Sequence, residues 1–374
     1  MNDTPHYIFD PRIATQSYRQ ISRDLEGCQV HYCLKANGDE VIVRSLASAG
    51  ARFEVSSRTE FESVLKAGIA PEKILCGLPV KTVPLVRDLY DKGCSYFTFD
   101  TLDELQKLER YAPTADKALR LNVRHISPPS PDFGATEAEV EGWVRANVLR
   151  RGSVTGLAFD IRRNTQAHTV VHALDLCERV LKLFPDVKTV NIGGNYRMSW
   201  EVGEDYYPRV VSRLNALRDR RSVGIIAEIG RSVVKHAGRA YARVALVKPR
   251  NGYYAVYLDV GLPGGVTHSP TFIRLIQTSG SPRRAEQVPC KFFGDTCCNT
   301  CLFAADIDFQ PCQDDVLELG GMGAYTVCKI SRFHGANPPP IYYLAAEGSS
   351  DKPGVPWPYS AADPWESDHV LAAD

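Results

Sequence analysis

The chain has 374 residues, and Lys plus Arg equals Asp plus Glu at 44 each, so its formal net charge is zero. That balance offers no electrostatic footprint for nucleic acid or an anionic membrane surface, and no apolar run reaches the ~18 residues of a membrane-spanning helix. Hydrophobic residues at 44% and charged residues at 24% are the composition of a globular enzyme, at a length that suits two domains.

The first residues, Met1-Asn2-Asp3-Thr4-Pro5, lack the basic and apolar regions of a secretory signal. The eleven cysteines are therefore expected as reduced thiols in a cytoplasmic protein. A weak helical period covers Pro11 to Leu25. A strand from Val30 to Leu34 then delivers Lys35 to its C-terminal end, followed by Ala36, Asn37 and a helix from Asp39 to Ala49. An ammonium at the end of a buried strand is costly without a partner or a task. The task expected of Lys35 is a Schiff base with pyridoxal phosphate (PLP).

Apolar runs recur at Ala51–Val55, Lys73–Cys76, Tyr96–Phe99, Ala118–Val123, Thr155–Phe159, Thr189–Ile192 and Val223–Ala227. Amphipathic stretches such as Arg58–Ala67, Leu102–Tyr111, Glu137–Leu149, His168–Phe184 and Tyr206–Leu217 lie between them. With the lysine strand this makes eight strands alternating with helices, the pattern of a parallel sheet. A TIM (β/α)8 barrel over residues 1–232 is expected, with an open doubly wound sheet as the alternative. Over residues 233–346 the rhythm changes to strands at Arg239–Val247, Tyr253–Asp259, Asp315–Leu319 and Pro340–Leu344, a mostly β C-terminal domain. The tail, 347–374, is rich in Pro, Asp, Ser and Ala and is expected to be partly disordered.

Barrel active sites lie at the C-terminal ends of the strands, with phosphate sites often after strands 7 and 8. Strand 7 ends in Ile192-Gly193-Gly194-Asn195 and strand 8 in Ala227-Glu228-Ile229-Gly230-Arg231. Glycines allow backbone N–H groups close to a phosphate, and the arginine fork suits the same anion. A carboxylate at Glu228 would keep a pyridine nitrogen protonated and make the ring an electron sink. A structural ion pair with Arg231 or Arg120 is the alternative for Glu228. In Cys297-Cys298-Asn299-Thr300-Cys301, Cys298 and Cys301 have CxxC spacing, but Cys290 and Cys312 are singly placed. No metal is assigned there.

Together with Tyr32–Asn37, Glu54–Glu60, Phe97–Asp100, Leu119–Leu121, Phe133-Gly134, Gly294–Cys297 and Met322–Thr326, these segments resemble the fold type III PLP-dependent decarboxylases, the family of ornithine, arginine and diaminopimelate decarboxylases. The resemblance runs from Pro5 to Ala345. It implies an alanine-racemase-like barrel followed by a β domain, loss of an amino acid's α-carboxylate as CO2, PLP as cofactor, and a homodimer with shared active sites. It implies that Lys35 is the Schiff-base lysine, that Glu54 is its acidic neighbour, and that Glu60 and Arg120 are a charged pair behind the cofactor. Gly193, Gly194, Gly230 and Arg231 match the phosphate cup, with Asn195 beside them and Tyr325 joining from the C-terminal domain. Glu228 matches the carboxylate at the pyridine nitrogen. Cys297 matches the cysteine that reaches in from the partner subunit and returns a proton to the α-carbon.

Three departures bear on substrate. Phe159-Asp160-Ile161-Arg162-Arg163 stands where the family has Phe-His-Val-Gly-Ser, so Asp160 replaces the ring-stacking histidine and Arg163 a phosphate-binding serine. Cys298 stands where decarboxylases of basic amino acids have an aspartate for the distal amine. The second acidic contact is expected within Thr267–Ile273, which has no acid and is followed by Arg274. Cys298, Phe272 and Arg274 are thus candidate substrate contacts. Burying an unpaired ammonium costs several kcal/mol, so free ornithine or lysine is not expected. A neutral, acidic or conjugated amino acid is, either free or carrier-bound, in a pathway such as siderophore or antibiotic synthesis. The alternatives are a racemase of the same fold, which Glu228 and Cys297 oppose, and a catalytically silent paralogue that binds a protein, which Asp160 keeps open.

Overall fold

The computed structural model describes residues 3–126, 133–161, 166–278, 280, 287–297 and 300–344. The elements in chain order are β1 (His6–Phe9), α1 (Pro11–Asp24), β2 (Cys28–Cys33), α2 (Glu40–Ser48), β3 (Arg52–Val55), α3 (Arg58–Lys66), β4 (Ile74–Cys76), α4 (Val83–Asp91), β5 (Tyr96–Phe99), α5 (Leu102–Tyr111), β6 (Asp116–Arg120), α6 (Glu137–Arg145), β7 (Gly156–Ala158), α7 (Ala167–Leu181), β8 (Thr189–Asn191), α8 (Tyr206–Arg221) and β9 (Gly224–Ile229). After them come α9 (Arg231–Val234), β10 (Gly238–Arg250), β11 (Tyr253–Leu258), β12 (Ile273–Gln277), β13 (Val288–Phe293), β14 (Phe303–Ile307), β15 (Val316–Leu319) and β16 (Ile341–Tyr343).

Strands β2 to β9 close into a parallel barrel. Closure runs through β2 and β9, in register from Cys28 with Ile225 to Tyr32 with Ile229, and this excludes the open sheet. Five of the surrounding helices begin at a side chain that caps the first turn: Asp39, Ser57, Thr82, Thr101 and Thr136. Each satisfies an N–H that has no partner inside its helix. Side chains alternate across each strand. Phe53 and Val55 thereby join the main core, while Glu54 shares its register with Leu75. Leu75, Tyr96, Ala118, Ala158 and Ile226 form a separate small buried cluster.

The second layer is a sheet in the order β12-β15-β10-β11-β13-β14, with β1 and β16 attached through β10. The expectation that residues 1–232 form the barrel is corrected at its start. β1 lies in this second sheet, antiparallel to β10 and parallel to β16. All four residues of β1 are buried, and both of its edges find partners only at the far end of the chain. That pairing has no local sequence signal. β12, β13 and β14 are additions to the expected strands. In β13 buried Val288, Cys290 and Phe292 alternate with exposed Pro289 and Lys291, so no continuous apolar run marks it. The expected disordered tail lies outside the described residues. Among the described residues no helix is long and apolar enough to cross a membrane.

One buried charge shapes the loop between β4 and α4. Lys81 is 2% exposed, and its ammonium donates to the carbonyls of Leu78 at 2.8 Å and Thr98 at 2.5 Å and pairs with Glu104 at 2.9 Å. Removing one partner of such a group leaves the other charge uncompensated. Lys81→Met is expected to lower stability by about 3 kcal/mol in urea unfolding, and a loss indistinguishable from zero would refute this account of the loop.

Candidate active site

β2 ends at Cys33, and the chain makes one 3-10 turn through Leu34–Ala36, which carries Lys35 off the C-terminal end of the strand. Three bonds hold this turn, the second and third of them to the C-terminal domain. The Tyr32 hydroxyl donates to the Asn37 carbonyl at 2.7 Å, the Asn37 amide to the Gly323 carbonyl at 3.0 Å, and the Tyr325 N–H to the Ala36 carbonyl at 2.7 Å. The Lys35 side chain is 47% exposed, while its Nζ donates to Oε2 of the enclosed Glu54 at 3.0 Å. Desolvation works against the charge on Lys35, but the carboxylate of Glu54, helped by Glu228, overrides it and holds the ammonium well above its ordinary pKa. Burial likewise pushes the Glu54 carboxyl up. Lys35 and the hydroxyl of Ser56, which donates at 2.9 Å, pull harder and leave it below the usual range.

Glu228, on β9, shares this end of the barrel. The Asn191 side chain on β8 donates to its Oε1 at 2.6 Å. Burial first, and then the negative charge of Glu54, raise the Glu228 carboxyl to about 7, against the opposing pull of Lys35 and Asn191. Cys33, Glu54 and Glu228 place donor atoms within 4.8 Å of one another, and the cation on Glu54 is the Lys35 ammonium. Gly77 faces the same group: a Cβ there would stand 2.9 Å from Glu228 Oε1 and 3.1 Å from Glu54 Oε1. The sequence reading passed over Gly77, although a glycine directly after a barrel strand was the signal available.

The glycines after β8 leave no room for side chains. Gly193 has φ +65°, and a Cβ on it would fall 2.3 Å from the Phe159 carbonyl oxygen; one on Gly194 would fall 2.4 Å from the Glu228 carbonyl oxygen. A Cβ on Gly230 would meet Ala36 at 3.0 Å and Cys33 at 3.3 Å. The Arg231 guanidinium lies 4.7 Å from the centre of the Tyr325 ring, a cation–π contact. Asp160, 41% exposed, already puts an anion here: its carboxylate meets Arg120 at 3.4 Å, the Asn195 amide at 3.3 Å and the Gly194 N–H at 3.5 Å. The expected pairing of Glu60 with Arg120 is corrected by these contacts. Glu60 instead accepts from the Ser56 N–H at 2.6 Å at the start of α3, where a carboxylate completes the cap.

These residues fit a phosphorylated pyridine aldehyde. There is an amine for the aldehyde and a carboxyl that holds a proton near neutrality for the ring nitrogen. Backbone without side chains, flanked by Arg231, suits the phosphate. Of the other expected site residues, Arg163 and Cys298 lie outside the described residues. Cys297 is exposed, with its Sγ 3.8 Å from His334 Nε2. Phe272 and Arg274 were expected at the substrate, but the structure engages both in the second sheet. The Phe272 ring packs on Gly320 and lies 5.4 Å from the Arg274 guanidinium, which pairs with buried Glu318 at 3.5 Å. Glu318 also holds Arg239 at 2.9 Å, so a buried carboxylate draws Arg274 into the sheet.

A closed (β/α)8 barrel with a lysine at one strand end, facing a carboxylate and a glycine cup, is the arrangement that suits a PLP enzyme of the barrel class. The family profile "Pyridoxal-dependent decarboxylase, pyridoxal binding domain" matches residues 13–235, and the chain belongs to that family. It is a PLP-dependent amino-acid decarboxylase. The chain is 24% identical over 364 residues to a probable ornithine decarboxylase of Dictyostelium discoideum, covering 90% of this chain and 78% of that one. It is 26% identical over 360 residues to a chloroplastic ornithine decarboxylase of Nicotiana glauca, covering 89% and 82%. In fold it is similar to the arginine decarboxylase of Paramecium bursaria Chlorella virus, with a TM-score of 0.80 at 21% identity over 92% of this chain and 97% of the other. The lysine/ornithine decarboxylase of Vibrio vulnificus complexed with cadaverine gives a TM-score of 0.77 at 24% identity, over 92% and 95%.

The raised Glu228 carboxyl has a consequence for stability. Between its ordinary value of 4.5 and about 7 the folded protein holds a proton that the unfolded chain releases. Its stabilising effect is therefore full at the acid end of that window and is lost as pH rises through 7. For the cofactor-free protein, Glu228→Gln should gain stability relative to wild type between about pH 5 and about pH 8. Urea unfolding at both values checks this, and a wild-type-to-variant difference that does not change with pH would contradict it.

Proposed function

We propose that this decarboxylase acts on an α-amino acid whose side chain does not end in a free ammonium, with Lys35 and Glu228 holding the two ends of the cofactor's reactive axis. The observation that carries the chemistry is the Lys35–Glu54 pair facing the Glu228–Asn191 pair across one end of the barrel. Bound PLP supplies an electron sink conjugated to the substrate's α-carbon. In this reading Lys35 anchors the aldehyde, and Glu54 orients its amine. Glu228 keeps a proton at the ring nitrogen, and Asn191 fixes the direction of that carboxyl. Gly193, Gly194, Asn195, Gly230, Arg231 and Tyr325 hold the phosphate, and Arg120 keeps Asp160 to one side. Cys297 gives a proton to the α-carbon after CO2 leaves. Its exposure supports use at a partner's barrel, and hence a homodimer with shared sites. The ten described cysteines are free thiols, which supports a cytoplasmic location.

The substrate reading is supported by what surrounds the segment Thr267–Ile273. It has no acid, and Thr267 hydrogen-bonds the Tyr325 carbonyl at 2.7 Å, which ties this segment to a phosphate-cup residue. Asp160 is engaged by Arg120 and Asn195. The relatives named for ornithine, arginine and lysine have substrates with a cationic end, and a site for that end needs a carboxylate free to meet it. A neutral or acidic side chain, or a conjugated one as in specialised amine pathways, suits this chain better.

Two measurements test the reading. The purified protein with PLP should absorb near about 420 nm, and Lys35→Ala should lose that band; a band that survives the substitution would remove Lys35 from the anchor role. In a CO2-release screen, neutral or acidic amino acids should exceed ornithine, lysine and arginine by about a hundredfold in kcat/KM. A diamino acid as best substrate would overturn the substrate reading and leave the decarboxylase intact.

A further inference from the structure

A thiol that gives its proton to the α-carbon is left as thiolate and must be recharged before the next turnover. The structure puts an imidazole beside it. His334 Nε2 lies 3.8 Å from Cys297 Sγ, within reach of a sulfur hydrogen bond, and such contacts often run long before substrate is bound. The two residues are brought together from separate parts of the sheet. Cys297 is in the turn after β13, and His334 is in a short 3-10 turn, Phe333–Gly335, that precedes β16. Both side chains are exposed on the single chain.

The backbone at His334 is unusual. Its φ is +60°, the left-handed region that side-chain-bearing residues enter only occasionally. Such a residue persists where the surroundings over-determine it, and functional sites are where this recurs. The Phe333 ring meets the imidazole edge-on, with centroids 4.1 Å apart and planes at 75°, which limits the ring's swing. Gly335, at φ +72°, continues the tight turn. The result is a titratable imidazole held at a thiol, a pairing that suits a two-step proton path.

We propose that His334 recharges Cys297, so that the two form a proton relay from solvent to the α-carbon. The inference rests on the role assigned to Cys297 above. The Cys297 S–H bond breaks and its proton joins the electron pair that departing CO2 leaves at the α-carbon, forming the C–H bond. The sulfur keeps the S–H electrons as thiolate. The N–H bond of protonated His334 then breaks, and its proton forms a new S–H bond. The neutral imidazole regains a proton from hydronium or a buffer acid. One solvent proton replaces one CO2 in the product, and nothing is oxidised or reduced.

The test uses the full chain with His334→Asn and His334→Gly, since both residues accept a left-handed backbone. The first readout needs no cofactor: the rate at which iodoacetamide alkylates Cys297 at neutral pH, followed by peptide mass spectrometry. A histidine that exchanges a proton reversibly with the thiol speeds formation of the alkylation-competent thiolate as well as its recharging, so wild type should react about fivefold faster than either variant, and added imidazole should restore the rate in His334→Gly. The second readout is turnover of the PLP-loaded enzyme. Both variants should lose about tenfold in kcat with KM unchanged, and imidazole should rescue kcat in His334→Gly, which loss of folding would not allow. Alkylation within about twofold of wild type in both variants, or a kcat that imidazole does not rescue, overturns the relay. Full activity in Cys297→Ser would overturn the assignment of Cys297 and the relay with it. An inactive Cys297→Ser beside unaffected His334 variants would overturn His334 alone.

Discussion

The active end of the barrel is organised by the ion pair between Lys35 and Glu54, 3.0 Å apart. A carboxylate enclosed to the extent of Glu54 is tolerated only with a cation and hydrogen bonds around it. Lys35 and Ser56 supply these. In return Glu54 fixes the amine at the strand end and keeps it charged. The turn that presents the lysine is itself held by bonds from Tyr32, Asn37 and Tyr325, so the second domain closes over the barrel at the point where the amine emerges.

Two carboxyls at the same barrel end carry different protonation because their neighbours differ. Glu54 has the lysine and lies below its ordinary pKa, whereas Glu228 has an amide donor and the negative charge of Glu54 nearby, which leaves it at about 7. Pairs of titratable groups driven apart in this way mark a division of labour. The ionised member positions the amine, and the protonatable member suits a ring nitrogen. Gly77, where a Cβ would meet both carboxylates, keeps the space between them clear of a side chain.

The departures from the family pattern act through electrostatics. Asp160 gathers Arg120, Asn195 and the Gly194 N–H around an anionic side chain beside the glycines that follow β8. Arg274 stands near the segment where an acid was expected, and Glu318 holds it in the sheet. Each of these charged side chains is held by a partner that only the folded chain brings near.

The eight barrel strands, most of their helices and the residue types at the strand ends were legible in the sequence. They depend on local period, helix caps and turn glycines, all of which act over a few residues. Lys35, Glu228, the Gly193-Gly194 pair and Gly230-Arg231 stood out because barrel chemistry collects at strand termini whatever the intervening sequence. What only the tertiary structure decided was long-range. β1 joined the second sheet because its partners lie more than two hundred residues away. Glu60 went to a helix cap and Arg120 to Asp160, and Arg274 was drawn to Glu318. Cys297 met His334 across 37 residues of chain. Charge partners are chosen by distance in space and by the cost of leaving a buried charge alone, and neither can be read from spacing along the chain.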